Sequence, residues 1–298
     1  MTLVVTGAHR MVACCAERVR ILSAPSGDCL CTLEHADLVF SAVFSWDGHE
    51  VLTATQGAMA LIWSATSGEC LRTLQGHQDG VLSAVFSQDG QEVLTASEDG
   101  TAKIWSAVSG ECLRTLRGHR TAVMSAAFSP DGQEVVTASM DRTVRIWSAA
   151  LGQCLRTLEG HGGTVLSADF SPHGREVLTA STDGTAKLWA AASGECLHTL
   201  QGHREPVRSA RFSPDGREVL TASWDHTARL WSPGGAGPER GCLRTLEGGE
   251  PLCSAAFSPD GRLVLTSSVG WTAKLWSAAS GACLCALGDA GAVASFEP

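Results

Sequence analysis

Tryptophan recurs along this chain at a fixed interval, and that interval limits the possible fold more than any other feature. One tryptophan falls every 42 positions over five units, and a sixth follows after 45. These residues are Trp63, Trp105, Trp147, Trp189, Trp231 and Trp276. Counting back 41 positions from the first reaches Leu22, so seven units nearly fill the 298 residues. A period of this size predicts one repeat-built domain over residues 1–298.

Residues 76–119 show what one unit contains. After an opening Gly-His pair, four short runs rich in β-forming residues cover 81–86, 92–97, 101–106 and 112–116. Asp-Gly pairs separate the first three runs, which is typical of hairpin turns. No stretch shows a helical period. Each unit therefore predicts four short antiparallel strands, and the fold class is all-β.

Composition limits the possible partners and location. Hydrophobic residues make up 44% and charged residues 18% of the chain, which are globular values. No apolar run approaches the roughly 18 residues that span a bilayer, and the N-terminus lacks the features of a secretory signal. A net charge of −9 argues against a nucleic-acid partner, because phosphate binding needs clustered Lys and Arg. We expect a cytoplasmic protein without membrane contact.

Seven of the twelve cysteines occupy one column of the repeat. They are Cys29, Cys70, Cys112, Cys154, Cys196, Cys242 and Cys283. Equivalent sites in facing sheets lie about 10 Å apart, beyond the ~7 Å Cα limit of a disulfide. We therefore expect reduced thiols that pack as small buried hydrophobes. The pairs Cys29-x-Cys31 and Cys283-x-Cys285 leave a four-thiolate zinc site as a less favoured alternative.

The order of these signals resembles the WD40 repeat. Each unit runs Gly-His, strand, Asp-Gly, strand, Ser-x-Asp-Gly, strand, Trp, and the period matches. The resemblance covers the whole chain and implies a single seven-bladed β-propeller with four strands in each blade. One departure is uniform, since Ser or Ala follows each of the six periodic tryptophans where the family has aspartate. The family tolerates this loss, so the expected fold is unchanged.

The resemblance also implies a hydrogen-bonded tetrad within each blade, in which Asp accepts from His and Ser links the imidazole to the indole N–H. Four units carry all four members. They are His77, Ser97, Asp99 and Trp105; His119, Ser139, Asp141 and Trp147; His161, Ser181, Asp183 and Trp189; and His203, Ser223, Asp225 and Trp231. A set that recurs and locks turns does not indicate a catalytic triad, and we assign no catalytic residue.

Units 7, 1 and 2 depart from this pattern, and they are contiguous around the expected ring. The departures are Gly249 and Gly270 in unit 7, Ala16 and Leu22 in unit 1, and Gly57 in unit 2. Because each lost network removes several hydrogen bonds, we expect these three blades to open first.

A gapless alignment of the first unit predicts how the ring closes. It places Thr6-Gly7 on Asp131-Gly132, so the chain begins near the end of an innermost strand. We expect the C-terminal residues, including 290–298, to supply the inner strand of the first blade, whose other three strands come from the N-terminus. This closure would cover exposed sheet edges.

Comparison of the units with one another separates constant loops from variable ones. Loops between strands one and two, such as 129–132, and between strands three and four, such as 109–111, are nearly uniform and rich in Asp and Glu. We call their side of the ring the acidic face and interpret it as a solvated surface imposed by the repeat. The loops after Gly-His and the Ser-x-Asp turns differ between units and form the opposite, variable face. In proteins of the WD40 family these positions surround the channel mouth and hold partner contacts.

Units 4 and 6 carry Arg, Trp and Met on the variable face, residue types enriched at interfaces. The candidate partner-binding residues are Arg120, Met124, Met140 and Arg142 in unit 4, Arg204, Arg208, Trp224 and His226 in unit 6, and Trp271 in unit 7. Unselected drift in a variable column is the alternative explanation for this set.

These observations favour a non-enzymatic scaffold that binds a protein or an extended peptide, acidic or phosphorylated to suit the arginines. A substrate receptor or assembly subunit of a larger complex, such as a ubiquitin ligase, fits the same residues. An enzyme is less favoured, because outside the tetrads only His226 with Glu205 or Glu98 could supply acid–base chemistry on the variable face. We predict no cofactor and no metal site.

Overall fold

A computed structural model describes residues 3–6, 10–23, 28–232, 241–270 and 272–287. These residues form 28 β-strands, and no helix occurs among them. The described part of the chain accordingly offers no helix long and apolar enough to cross a membrane.

The strands group into seven blades of four in chain order. Blade 1 contains β1 Leu3–Thr6, β2 Arg10–Cys15, β3 Arg18–Ser23 and β4 Cys29–Glu34. Blade 2 contains β5 Val39–Phe44, β6 Glu50–Thr55, β7 Met59–Ser64 and β8 Cys70–Gln75. Blade 3 contains β9 Val81–Phe86, β10 Glu92–Ser97, β11 Thr101–Ser106 and β12 Cys112–Arg117. Blade 4 contains β13 Val123–Phe128, β14 Glu134–Ser139, β15 Val144–Ser148 and β16 Cys154–Leu158. Blade 5 contains β17 Val165–Phe170, β18 Glu176–Ser181, β19 Ala186–Ala190 and β20 Cys196–Leu200. Blade 6 contains β21 Val207–Phe212, β22 Val219–Ser223, β23 Thr227–Trp231 and β24 Cys242–Glu247. Blade 7 contains β25 Leu252–Phe257, β26 Leu263–Ser268, β27 Ala273–Ser277 and β28 Cys283–Leu287.

Every blade is an antiparallel sheet in which consecutive strands pair, so each connection is a local hairpin. First strands of successive blades contact one another and surround the channel, and fourth strands lie outermost. The register shifts by one residue near the start of the first strand in blades 2–7, where a β-bulge changes the side-chain alternation. The predicted all-β, seven-bladed propeller is confirmed.

The hydrophobic core lies between blades. One cluster joins Ile104 and Leu116 of blade 3 to Val123 and Trp147 of blade 4, and all four side chains are buried. Within the described residues, six such clusters link blades 1 to 7 in order. Each blade is therefore stabilised by apolar area that it shares with its neighbours, since a single four-stranded sheet cannot bury its own faces.

Blade 1 takes its first strand from the N-terminal end of the chain. Thr6 pairs with Arg10, whereas the corresponding partners in blade 4 are Phe128 and Val135. The connection between β1 and β2 is thus three residues shorter than in the gapless alignment. Leu3–Thr6 therefore cover more of the inner strand than that alignment predicted. The prediction that only three strands of this blade come from the N-terminus was wrong, because Leu3–Thr6 pair with β2. Residues 290–298 lie outside the described residues, so their pairing with blade 1 stays a prediction.

The cysteine column lies on the exposed fourth strands, and the expectation that it is buried was wrong. Cys70, Cys112 and their equivalents are exposed and free. The fourth strand has a hydrogen-bonded neighbour on one side only, and its inward side chain is leucine, as in Leu116 at 1% exposure. No three described His, Cys, Asp or Glu side chains lie where they could hold a metal ion, so the described residues lend the four-thiolate zinc alternative no support.

Each complete unit contains a hydrogen-bonded chain from indole to carboxylate. In blade 4, Trp147 Nε1 lies 2.8 Å from Thr137 Oγ1, which lies 2.8 Å from His119 Nε2. His119 Nδ1 lies 2.9 Å from Asp141 Oδ2. Because an indole N–H can only donate, the threonine hydroxyl accepts from it and donates to Nε2, which leaves the imidazole proton on Nδ1 facing the carboxylate.

The hydroxyl that joins imidazole to indole belongs to threonine, and the prediction that serine does so was wrong. Ser139 Oγ instead donates to Ala122 O at 2.8 Å and accepts from Asp141 N at 3.1 Å, so it fixes the turn. Threonine and serine stand two residues apart on one strand and point to the same side. The linking residues are Thr95, Thr137, Thr179 and Thr221. The serines that were wrongly predicted to make this link are Ser97, Ser139, Ser181 and Ser223.

The protonation of this network follows from burial and hydrogen bonding. Burial alone would raise the pKa of Asp99, but hydrogen bonds from Thr101, the Gln78 amide and His77 outweigh it and lower the pKa to about 2. Burial lowers the pKa of His77, against the opposing hydrogen bond and charge of Asp99. At neutral pH the pair is therefore a neutral imidazole that donates to a carboxylate.

Blades 2 and 7 replace the missing turn aspartate with a carboxylate from a neighbouring loop. In blade 7, Glu250 Oε2 accepts from Ser268 Oγ at 2.8 Å, and a Cβ placed on Gly270 would overlap this carboxylate. In blade 2, a Cβ on Gly57 would likewise overlap Asp37. Blade 2 also keeps the link from His35 through Thr53 to Trp63, at 2.9 Å for each bond.

We predict that Thr137→Val lowers the free energy of unfolding by roughly 2 kcal/mol or more, because it leaves a buried indole N–H and an imidazole nitrogen unpaired. Thr137→Ser keeps the hydroxyl and should cost clearly less. Urea unfolding measures both. Hydrogen exchange of the Trp147 indole N–H should become fast in Thr137→Val and stay slow in Ser139→Ala; the reverse pattern would restore serine as the link.

We also predict that Gly57→Asp destabilises the protein by about 1–3 kcal/mol, because the new side chain enters space held by a like-charged carboxylate. Adding Asp37→Thr, the residue that blade 4 has as Thr121, should recover most of this loss. A double-mutant cycle by chemical unfolding tests the coupling. Additive effects would show that the two carboxylates do not compete for one position.

Candidate functional site

The tetrad aspartates fix the backbone of the variable face. Asp141 Oδ2 accepts from the Arg120 amide at 3.0 Å, and Asp225 Oδ2 accepts from the Arg204 amide at 3.2 Å. Both arginine side chains are exposed. In blades 3 to 6 the network thus holds the main chain after the histidine at the same place, while the residue there is exposed and varies between blades.

Blade 4 places its four candidates at different depths. Met140 is 49% exposed, and Arg120 and Arg142 are also exposed. Met124 is half-buried, since it lies within β13 near the start of the inner strand. These residues flank one turn and the adjacent end of the inner strand.

Blade 6 brings two of its candidates into direct contact. The Arg208 guanidinium lies over the Trp224 ring, 5.4 Å from its centroid, and Trp224 is 43% exposed. Such a cation–π contact orients the arginine. Arg208 Nε is buried without a hydrogen-bond partner in the described structure. Arg145 Nε and Arg229 Nε are buried without a partner in the same way, so this state is not specific to the candidate site.

The remaining blade 6 candidate joins this blade to the next one. His226 is exposed, and its Nδ1 lies 3.3 Å from Gly249 O of blade 7. Trp271, the candidate in blade 7, lies outside the described residues. Arg208 and Trp224 of blade 6 contact each other. No contact among the described residues joins them to the candidate residues of blade 4.

Two candidates adopt a backbone conformation that normally requires glycine. Arg142 and His226 both have φ of 71°, whereas Gly100 and Gly184 hold the same turn position in blades 3 and 5 with φ of 79°. A left-handed conformation costs an ordinary residue about 1–2 kcal/mol. Ala16 and Ala58 also have positive φ at this turn, 54° in blade 1 and 61° in blade 2. The strain is therefore shared by four of the described blades, and blades 4 and 6 differ in carrying a large polar side chain there.

Inspection of the sequence alone missed three features of the molecule. The linking threonine column was visible as an invariant position but was not separated from the serine two residues later. The turn strain could have been read from Arg142 and His226 standing in a glycine position. The third feature is a cavity at the acidic face, which Trp46 lines with 72% of its surface exposed. Its only indication in the sequence was a tryptophan at a position where most other units have proline.

We predict that Arg142→Gly and His226→Gly each leave the free energy of unfolding unchanged or raise it by up to about 1 kcal/mol, because they relieve strain. Gly184→Arg is the reciprocal control and should lower stability by about 1–2 kcal/mol. Thermal and urea unfolding measure all three. A clear loss of stability in both glycine variants would mean that their side chains are structural.

A family model matches five tandem segments of the chain, described as WD domain, G-beta repeat. The matched residues are 68–106, 110–148, 152–190, 194–232 and 240–277. Each segment holds the fourth strand of one blade and the first three strands of the next. Comparison with curated proteins gives no match. Because the five segments cover well over half of the chain and carry the tetrads described above, the protein belongs to the WD40-repeat family.

Proposed function

We propose that this protein is a non-enzymatic scaffold whose variable face, in blades 4 and 6, binds an acidic or phosphorylated segment of a partner protein. WD40 repeats in general indicate a scaffold for protein interactions. The choice of face and of partner chemistry is our inference. It depends above all on Arg208, whose guanidinium is held over the partly exposed Trp224 ring.

The chemistry of blade 6 suits an anionic group. A guanidinium forms short, charge-assisted hydrogen bonds to carboxylate or phosphate oxygens. Arg204 adds a second exposed cation in the preceding loop, and its backbone is fixed by Asp225. Trp224 supplies a rigid aromatic surface of the kind that concentrates binding energy at interfaces.

The strained turns of blades 4 and 6 allow a second test of the proposal. Arg142 and His226 keep a conformation that glycine would adopt at lower cost, and neither side chain is buried in a way that would compensate it. If Arg142 and His226 are present because they contact a partner, their glycine variants should be stable and should bind that partner less well. Unselected drift predicts stable variants with unchanged binding.

The direct test compares binding of a labelled phosphoserine peptide library with that of the same library carrying serine in its place. Arg208→Leu with Trp224→Thr gives blade 6 the residues of blade 5, Leu166 and Thr182, so the fold is preserved. We predict that this variant loses phosphopeptide affinity by roughly ten- to hundredfold, the range expected for hydrogen bonds to a charged group.

The matched control is Arg217→Gln on the acidic face, which removes the same single charge and copies Gln133 of blade 4. It should leave affinity within about twofold, because screening limits the reach of a distant charge. Anisotropy titrations at fixed salt measure all variants. Equal losses in both proteins, or no preference for phosphoserine or acidic peptides, would refute the proposal.

A further inference from the structure

The channel opens at the acidic face into a cavity of about 680 Å³. The last residue of five successive inner strands is a phenylalanine that lines this cavity and also packs with an apolar cluster between blades. These residues are Phe86, Phe128, Phe170, Phe212 and Phe257. Cavities of this size, mostly apolar with a few polar groups, are common binding sites in proteins. The regular solvated surface expected from the repeat therefore surrounds a concave apolar site.

Trp46 makes one sector of this cavity unlike the rest. It lies in the blade 2 turn where other blades have Gln88, Pro130 or Pro172, and it is 72% exposed while lining the cavity. An indole so exposed contributes little to the core. Its face is the aromatic surface that binds cations most strongly.

Three carboxylates follow this sector around the rim. In Asp47, Asp89 and Asp131, Oδ1 accepts from a serine hydroxyl at 2.6 Å and from a backbone amide at 3.0 Å. The serine hydrogen bonds hold the pKa of all three below the usual range, so they stay anionic. No ion pair to any of the three occurs within the described ranges.

The rim in blades 5 to 7 differs in charge. Asp215 and Asp260 each have an arginine nearby, Arg217 at 3.9 Å and Arg262 at 3.8 Å. Blade 5 has His173 in the aspartate position. Unneutralised negative charge is thus concentrated in blades 2 to 4, beside Trp46.

Inside the cavity, one hydroxyl is unused. Ser167 lines the wall and is only 9% exposed, and its Oγ has no hydrogen-bond partner in the described structure. The equivalent Ser125 and Ser209 accept from the amides of Ala168 and Ala255 in the next blade. The nearby charges Asp169 and Arg211 pair with each other at 2.6 Å and leave no net charge on the wall.

We infer that this cavity binds a basic segment of a partner protein, with an arginine or lysine on Trp46 and against Asp47 and Asp89, and apolar side chains among the phenylalanine rings. The apolar wall and unused hydroxyl favour a polypeptide, which supplies both apolar side chains and backbone groups, over a small polyamine. The site lies on the face opposite to the one assigned above and takes ligands of opposite charge, so it does not depend on the proposed function.

The test uses the whole protein and a fluorescein-labelled peptide, Gly-Arg-Leu-Arg-Leu-Arg-Gly, followed by anisotropy. Trp46→Gln copies blade 3 and Trp46→Pro copies blade 4, so two variants that suit the fold remove the indole. Asp89→Asn keeps the acceptor for Ser87 and removes one charge. We expect each to weaken binding by about fivefold or more in roughly 0.15 M salt.

Asp215→Asn is the matched control, since it makes the same chemical change in a turn with its own arginine, and it should weaken binding by less than about twofold. Arg208→Leu with Trp224→Thr should leave this binding unchanged, which separates the two faces. Equal losses in Asp89→Asn and Asp215→Asn would show attraction to net charge alone and overturn the inference. So would unchanged binding in the Trp46 variants, absence of binding, or equally tight binding of spermine.

Discussion

The hydrogen-bonded chain from tryptophan through threonine and histidine to aspartate is the interaction on which the other features depend. It spans the blade from the third strand to the turn at the variable face, and all its polar atoms are paired. Its aspartate also receives the amide of the first loop residue. A buried network therefore determines where the variable loops stand, although it contributes no side chain to the surface that they present.

The repeat period predicted the number of blades and the strands within them, because side-chain alternation and Asp-Gly turns act over a few residues. It could not identify Thr137 as the linking hydroxyl. Ser139 stands on the same side of the same strand and is equally constant, and only the distance to Trp147 Nε1 separates them. The exposure of Cys112 was missed for a related reason, since alternation assigns a side but does not tell which strand is outermost.

The sequence predicted which surface residues are candidates for partner binding, but it did not predict which of them contact one another. The sequence placed Arg208 and Trp224 in two variable columns, and the inner strand and the turn bring them together. The positive φ of Arg142 and His226 follows from the turn geometry that Gly100 and Gly184 show in other blades. Replacement of a lost aspartate by Glu250 required tertiary structure, because the loop and the turn are eighteen or more residues apart along the chain.

The repeat that the family model recognises and the blade that the structure shows are offset by one strand. Each repeat gives its first strand to one blade and its other three to the next, and each apolar cluster is likewise shared by two blades. In linear repeat arrays, local units can melt from the ends with little effect on the middle. Here the loss of any one repeat removes strands from two sheets at once. The free-energy cost of partial unfolding is therefore large, and the molecule is expected to respond to heat as one cooperative body.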